Sequence, residues 1–476
     1  QPLTGAEREN TKGVITLKNV SIKKLVCGLL GVILGLIIGT LTPPAELTAE
    51  SMRYLGLLVW FICWMVGGVM PDFMTGLAFL VLAVLFKLTD FTSAFSPFAG
   101  TTTWLLVGAF GVGAMLSKTG VLKRIAYVIM QIFPGTYTGQ MLALYTAGII
   151  VSPMMPSITA KAALMTPLSI PAADAFGFEK NSKGATGLFL SSYWSAGILG
   201  NFFFTGCVYV GTMMAYLDDE TLALLNFWSW LKFFWPFLLV FAVGGFFLIR
   251  LLYQPKDCQP LPQGFVKEKL KELGPMSRDE KLSLIILAIM VAGWLTASLT
   301  GISVTMWSVI GLILMGAFGI FKPADFGARI PWTIIALVAS ISTLASLMGT
   351  YGIPAWLTSV LAPVLGPVAS SQVLLIIAIG VVVFALRWGV ASMFTSGALI
   401  YALFAGLGAA LGMNTLVIVF IGYMGVQCWP FGAYNATLMA GLGAVNGYVE
   451  FNKIQKLTFV YSALVIVAAL VNLPIW

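Results

Sequence analysis

Long apolar runs, each bounded by charge, glycine or proline, follow one another along most of the chain. They fall at about 25–42, 53–70, 73–88, 102–117, 184–215, 225–252, 281–298, 302–321, 331–350, 413–441 and 457–475. A helix needs about 20 apolar residues to cross the hydrocarbon core, so these runs predict about eleven transmembrane helices. Two more apolar stretches, 139–175 and 370–406, are broken near their middles by polar residues. Each half is too short to cross, which predicts two re-entrant hairpins. The expected fold class is an all-α polytopic membrane protein.

The order of elements also repeats. FAGTTTWLLVGAF at 98–110 leads into SKTGVLKRIAYVIMQIFPG at 117–135, and FGARIPWTIIALVAS at 326–340 leads into GTYGIPAWLTSVLAPVLG at 349–366. Phe98 to Trp104 matches Phe326 to Trp332, and Gly120 matches Gly352. Each copy then runs into a broken hairpin and a long glycine-rich helix. About five spans separate corresponding points, so the copies are expected to insert with opposite orientation, as inverted repeats do. The organisation expected is a cytoplasmic N-terminus (1–24), then a first helix and first repeat with its hairpin (25–252). A cytoplasmic linker rich in proline and charge (253–280) and the second repeat (281–476) complete it.

Charge then orients the pattern. With the N-terminus inside, Lys12, Lys18, Lys23, Lys24, Lys118, Lys123, Arg124, Lys180, Lys183, Lys322, Arg329, Lys453 and Lys456 fall on the cytoplasmic face. Arg53, Lys87 and Lys232 fall outside, with the acidic triplet Asp218, Asp219 and Glu220. This asymmetry predicts a cell (inner) membrane protein with a cytoplasmic N-terminus and an external C-terminus. It also accounts for the net charge of +8 without a nucleic-acid partner. No small-residue cleavage site follows the first lysines, so the first apolar run reads as a span and not as a removed signal.

At 59% hydrophobic and 9% charged residues, the chain carries more apolar side chain than a soluble core could bury, and the lipid bilayer is its solvent. The five cysteines are scattered and there is no histidine, which argues against zinc sites and disulfides. Without histidine, and without Asp or Glu at membrane depth, the usual enzyme machinery is missing. A Ser157–Lys161 dyad has i, i+4 spacing, but a hydrolase would leave the duplicated hairpins unexplained.

Ionisable groups inside a bilayer are costly and need a reason. Two stand outside loops: Lys161 at the break of the first hairpin and Arg387 near the break of the second. The acidic residues sit in loops or at span ends, Asp72 and Asp174 lying nearest to membrane depth, so an anionic substrate is the candidate counter-charge. The bland reading is that Lys161 snorkels to the interface and Arg387 caps helix carbonyls. Ser157 and Thr159 at the first break, and Ser392, Thr395 and Ser396 at the second, add hydroxyl donors beside helix N-termini suited to anionic oxygens. Taken singly, such hydroxyls more often pack or bond back to the helix. The long helices after the hairpins are themselves interrupted, one around Ser195, Gly197, Gly200, Asn201 and Thr205, the other around Gln427, Pro430, Gly432, Tyr434 and Asn435. Small-residue packing is the alternative for the glycines. The substrate site expected is Ser157, Thr159, Lys161, Asn201, Arg387, Ser392, Thr395, Ser396, Pro430 and Asn435.

From about Ala45 onward the chain resembles the divalent-anion/sodium symporter family of citrate, dicarboxylate and sulfate carriers. WLLVGAFGVGAMLSKTGVLKRIA, PSITAKAALMTPL and the ending GYVEFNKIQKLTFVYSALVIVAALVNLPIW carry the resemblance. It implies a homodimer, a fixed scaffold beside a moving transport domain, and an elevator-type cycle with substrate between the hairpin tips. In that family each tip bears a Ser-Asn-Thr signature that binds carboxylate and builds the sodium sites. Here the corresponding residues are Ser157-Ile158-Thr159 and Ser392-Met393-Phe394, and both asparagines are absent. The loss of two amide ligands and the gain of Lys161 disfavour sodium, and no other cofactor is implied. The function expected is secondary transport of di- or tricarboxylates, by sodium-independent exchange rather than symport. A sodium-coupled sulfate or organosulfonate carrier is the runner-up, and an anion channel or substrate sensor is the reading from another class.

Overall fold

The structure, a computed structural model, describes residues 22–44, 46–256 and 258–476. Lys12 and Lys18, and most of the expected 1–24 segment, lie outside the described residues. Within those residues every regular element is helical. Among the described residues seven helices have the length and apolar character to cross a membrane: Ile22–Thr40, Ala49–Gly67, Phe91–Thr119, Phe227–Tyr253, Trp332–Thr350, Met393–Ala410 and Phe451–Asn472. Asp72–Leu85, Val304–Ala317, Ile353–Leu365, Gln372–Leu386 and Thr415–Gly425 are shorter apolar helices. The protein is thus a multi-pass membrane protein. Ile22–Thr40 shows the physical reason most plainly. Gly31 is its buried residue, while Leu25, Leu29, Ile33 and Leu36 point outward. Each such side chain in water forgoes about 1.5–3 kcal/mol that hydrocarbon surroundings supply.

Several expected runs are not single crossing helices. The run 73–88 shortens to Asp72–Leu85 and 302–321 to Val304–Ala317. The run 184–215 divides into Lys183–Tyr193, a π turn at Trp194–Ile198, a 3-10 turn at Leu199–Phe202 and the helix Val208–Met214. The run 413–441 divides into Thr415–Gly425 and Ala436–Ala444. Pro430 lies in the gap, where its missing N–H cannot continue a ladder. The expected stretch 139–175 forms Tyr137–Val151 and a returning arm that starts with Ile158–Met165. The stretch 370–406 forms Gln372–Leu386 and Met393–Ala410, and the latter's 18 residues exceed the half-crossing expected of it.

The order of helices after Thr101 recurs after Trp332. Gly120, at φ 87°, ends one long helix and begins a short one, and Gly352, at φ 68°, does the same in the second half. Only glycine adopts that left-handed turn without strain, which explains its recurrence at this point. Across the halves, Phe91–Thr119 packs on Val304–Ala317, Asp72–Leu85 on Trp332–Thr350, and Ile158–Met165 on Ala436–Ala444.

Charges gather where the long helices end. Lys118 pairs with Asp325 at 3.0 Å, Arg329 with Asp325 at 2.9 Å and Arg124 with Glu280 at 2.9 Å. The backbone N–H of Lys322, helped by Lys118 and Arg329, pulls the Asp325 carboxyl down to about 2.

Candidate functional site

Ser152–Met154 closes the first arm of the first hairpin with a 3-10 turn, and the chain re-enters a helix only at Ile158. Ser157 caps that helix, its hydroxyl accepting from the Ala160 N–H at 3.3 Å. One turn on, the ammonium of Lys161 is fully buried and donates to the carbonyls of Ser152 (3.1 Å) and Gly206 (2.6 Å). It therefore ties the hairpin to the unwound segment after Phe202. Gly200 forms the wall of the seat, since a Cβ there would stand 2.5 Å from Lys161 Nζ. Thr159 is exposed and faces Thr437 across the two halves, Oγ1 to Oγ1 at 3.4 Å.

The second hairpin repeats the device. Ser392 caps Met393–Ala410 by accepting from the Thr395 N–H at 3.2 Å. Arg387 is likewise fully buried and donates to the carbonyls of Val390 (2.7 Å) and Ala391 (2.6 Å), and to that of Tyr434 in the unwound segment. Among the described residues neither cation has a carboxylate partner; the ion pairs there involve other residues. Both cations are held by backbone carbonyls, and the Arg387 guanidinium also lies over the Tyr434 ring, 5.9 Å from its centroid. Ser396 returns its hydroxyl to the Ser392 carbonyl at 3.0 Å. Arg387 Nε and Thr395 Oγ1 are buried and make no hydrogen bond among the described residues.

Gln427 joins the two broken helices. Its Oε1 accepts from Asn201 Nδ2 at 3.1 Å, and its main-chain carbonyl accepts from Asn435 Nδ2 at 2.6 Å. Asn435 also caps Ala436–Ala444 through Leu438 N–H, and Asn201 Oδ1 is buried with no donor among the described residues. The Pro430 carbonyl accepts from Gln455 at 2.8 Å, which holds the gap open from outside. Tyr209, at the start of Val208–Met214, meets Met393 at the second tip, hydroxyl to sulfur at 2.7 Å. The structure therefore brings the hairpin ends and both helix breaks into one network. Gln427, Thr437 and the carbonyls of Ser152, Gly206 and Tyr434 were not among the expected site residues. A carbonyl leaves no signature in side-chain identity, whereas Gln427 carried the signal of an amide inside an apolar run.

A cavity of about 870 Å³ lies apart from these residues, between 89–103, 214–222, 338–349, Tyr401 and Thr415. It is lined by hydroxyls such as Thr101, Thr103, Ser342 and Ser346, with Asp218 and Asp219 and no basic side chain. None of the expected site residues is in its wall.

The sequence profile described as "Sodium:sulfate symporter transmembrane region" matches residues 22–476. The chain belongs to this family. The family's description is that of a membrane transport protein and not of an enzyme. It is 24% identical over 357 residues to dicarboxylate transporter 1, chloroplastic, of Spinacia oleracea, matching 73% of this chain and 62% of that one. The chain thus spans about three-fifths of that relative's length. It is 24% identical over 462 residues to the inner membrane protein YbhI of Escherichia coli, covering 92% of this chain and 94% of that protein. Among solved structures it shares its fold with the Alcanivorax borkumensis YdaH transporter, at a TM-score of 0.54 and 15% identity over 95% of this chain and 96% of that one.

Proposed function

We propose that the protein carries small dianions, di- or tricarboxylates, by exchange across the inner membrane without sodium. The observation that carries this reading is the pair Lys161 and Arg387, both fully buried and neither matched by a carboxylate among the described residues. Two cations held only by neutral groups in a low-dielectric region attract a dianion strongly. Arg387 Nε and Thr395 Oγ1, unpartnered and buried, supply donors for its oxygens once the hairpin moves.

The same two groups stand against sodium coupling. Carbonyls at hairpin ends and helix breaks are the ligands with which carriers hold a coupling cation. Here a tethered ammonium and a tethered guanidinium already sit on them. A dissolved cation would have to displace a covalently attached one.

In the proposed arrangement the two halves insert as inverted repeats, the hairpins are re-entrant, and the hairpin ends with the broken helices form the moving part of an elevator. The charge cluster of Lys118, Arg124 and Arg329 faces the cytoplasm together with the N-terminus and the 253–280 linker, the C-terminus lies outside, and two copies pair. Ser157, Thr159, Asn201, Ser392, Ser396, Pro430 and Asn435 shape the site around the two cations. A sodium-coupled sulfate carrier is the second reading, favoured by the description of the family.

The test is uptake of labelled succinate into proteoliposomes with and without internal succinate and external sodium. Stimulation by internal succinate that ignores sodium is the expected result. Sodium-dependent uptake inhibited by sulfate would favour the second reading. Uptake insensitive to substrate on the opposite side would point to a channel, and no movement of any anion to a sensor.

A further inference from the structure

Asp72 opens the helix Asp72–Leu85 directly after Pro71 and is half-buried. Its Oδ2 accepts from the hydroxyl of Ser392 at 2.7 Å, across 320 positions of sequence. Among the described residues no Lys or Arg pairs with this carboxylate. The helix that bears it packs on Ala49–Gly67 and Trp332–Thr350, and Gly76 abuts Ser340. Ser392, by contrast, belongs to the tip of the second hairpin, on the chain segment that starts with Arg387. A serine hydroxyl has one proton to give. Ser392 gives it to Asp72 while accepting from the Thr395 N–H, so its donor is spent.

We propose that the Asp72 carboxylate is a built-in competitor of the transported anion for the second hairpin tip, tying that tip to the helix Asp72–Leu85 until substrate takes its place. The inference rests on the reading of the protein as a carboxylate carrier. The chemistry is that of like for like: a side-chain carboxylate occupies the hydroxyl that a substrate carboxylate would use. It does so at a helix N-terminus, where negative charge is favoured. A ligand shifts a conformational equilibrium by its differential affinity for the two states. Substrate that binds the tip in place of Asp72 favours the released hairpin, and its departure restores the tie. The empty carrier is thereby held back and the loaded carrier is free, which is the condition for exchange instead of net flux.

The experiment compares wild type, Asp72→Asn and Asp72→Glu in proteoliposomes, measuring succinate uptake with and without internal succinate. The ratio of the two rates does not depend on how much protein has inserted. Asp72→Asn is expected to lower that ratio about tenfold by raising uptake into empty vesicles, as the loss of one charge-assisted hydrogen bond implies, and to lower KM for succinate. Asp72→Glu is expected to keep the wild-type ratio. Ser392→Ala removes the contact from the other side and should lower the ratio too, even as total flux falls, which covers the case where Asp72→Asn does not insert. A wild-type ratio and KM in Asp72→Asn, or a wild-type ratio in Ser392→Ala, would overturn the competition while leaving the carrier reading intact. No succinate movement by wild type in either kind of vesicle would overturn both.

Discussion

The side-chain amide of Asn201 donates to Oε1 of Gln427 over 3.1 Å, joining two broken helices whose residues are 226 positions apart. Both side chains are buried, so neither amide has water as an alternative partner. Truncating either one strands the other, at a cost of about 1–3 kcal/mol. Asn201→Ala and Gln427→Ala are each expected to lower the melting temperature in detergent. The double variant should cost about 1 kcal/mol less than the two single losses added together. Strict additivity would show that the bridge does not form in the folded protein.

Lys161 holds the carbonyl of Ser152, in the 3-10 turn, and that of Gly206, in the unwound segment. Its replacement by alanine is expected to reduce exchange at least about tenfold and to lower thermal stability, since carbonyls left unpaired cost about 1–3 kcal/mol each. Lys161→Arg should not restore either property, because a planar fork does not fit a seat closed by Gly200. Full exchange activity in Lys161→Ala, with normal insertion, would exclude this lysine from the anion site.

Gly200 provides a test that leaves the lysine in place. A Cβ there would stand 2.5 Å from Lys161 Nζ, which two carbonyls hold in place, and 2.8 Å from the Gly206 carbonyl, which is backbone. Gly200→Ala is therefore expected to mimic the loss of Lys161, with overpacking costing about 1–3 kcal/mol. Wild-type transport and stability in this variant would mean that the seat is looser than the distances imply.

Asp325 sets the acid limit of the charge cluster. Its folded pKa is depressed to about 2, below the ordinary Asp value of about 3.9, so its contribution to stability is complete above that ordinary value. It disappears as pH falls from about 4 towards about 2. Asp325→Asn is expected to melt lower than wild type at pH 7, with the difference shrinking across that window. The measurement is a series of thermal unfolding curves in detergent between neutral and acid pH. A difference that stayed constant with pH would show that the side chain's shape matters and its charge does not.

Hydrophobic pattern was enough to identify a multi-pass helical membrane protein, because crossing a bilayer requires long apolar runs whatever the neighbours are. The spacing of Gly120 and Gly352 carried through in the same way, since a left-handed turn demands glycine locally. The interruptions of the long helices at 184–215 and 413–441 were legible too, from Asn201, Pro430 and Asn435 inside apolar runs. The π and 3-10 turns adopted at the first break, and the caps and carbonyl partners met at both, were not.

Lys161 and Arg387 show where the sequence reading stops. That two cations lie outside the loops, near two hairpin breaks and without acidic neighbours in sequence, followed from residue identity and the cost of buried charge. That each sits on backbone carbonyls, with Ser392 drawn to Asp72 and Asn201 to Gln427, was decided only by the fold. Apolar patterning is a property of neighbours along the chain, and so one sequence states it. Carbonyl seats and cross-chain hydrogen bonds belong to groups hundreds of residues apart, and only the packing of the two halves brings them within reach.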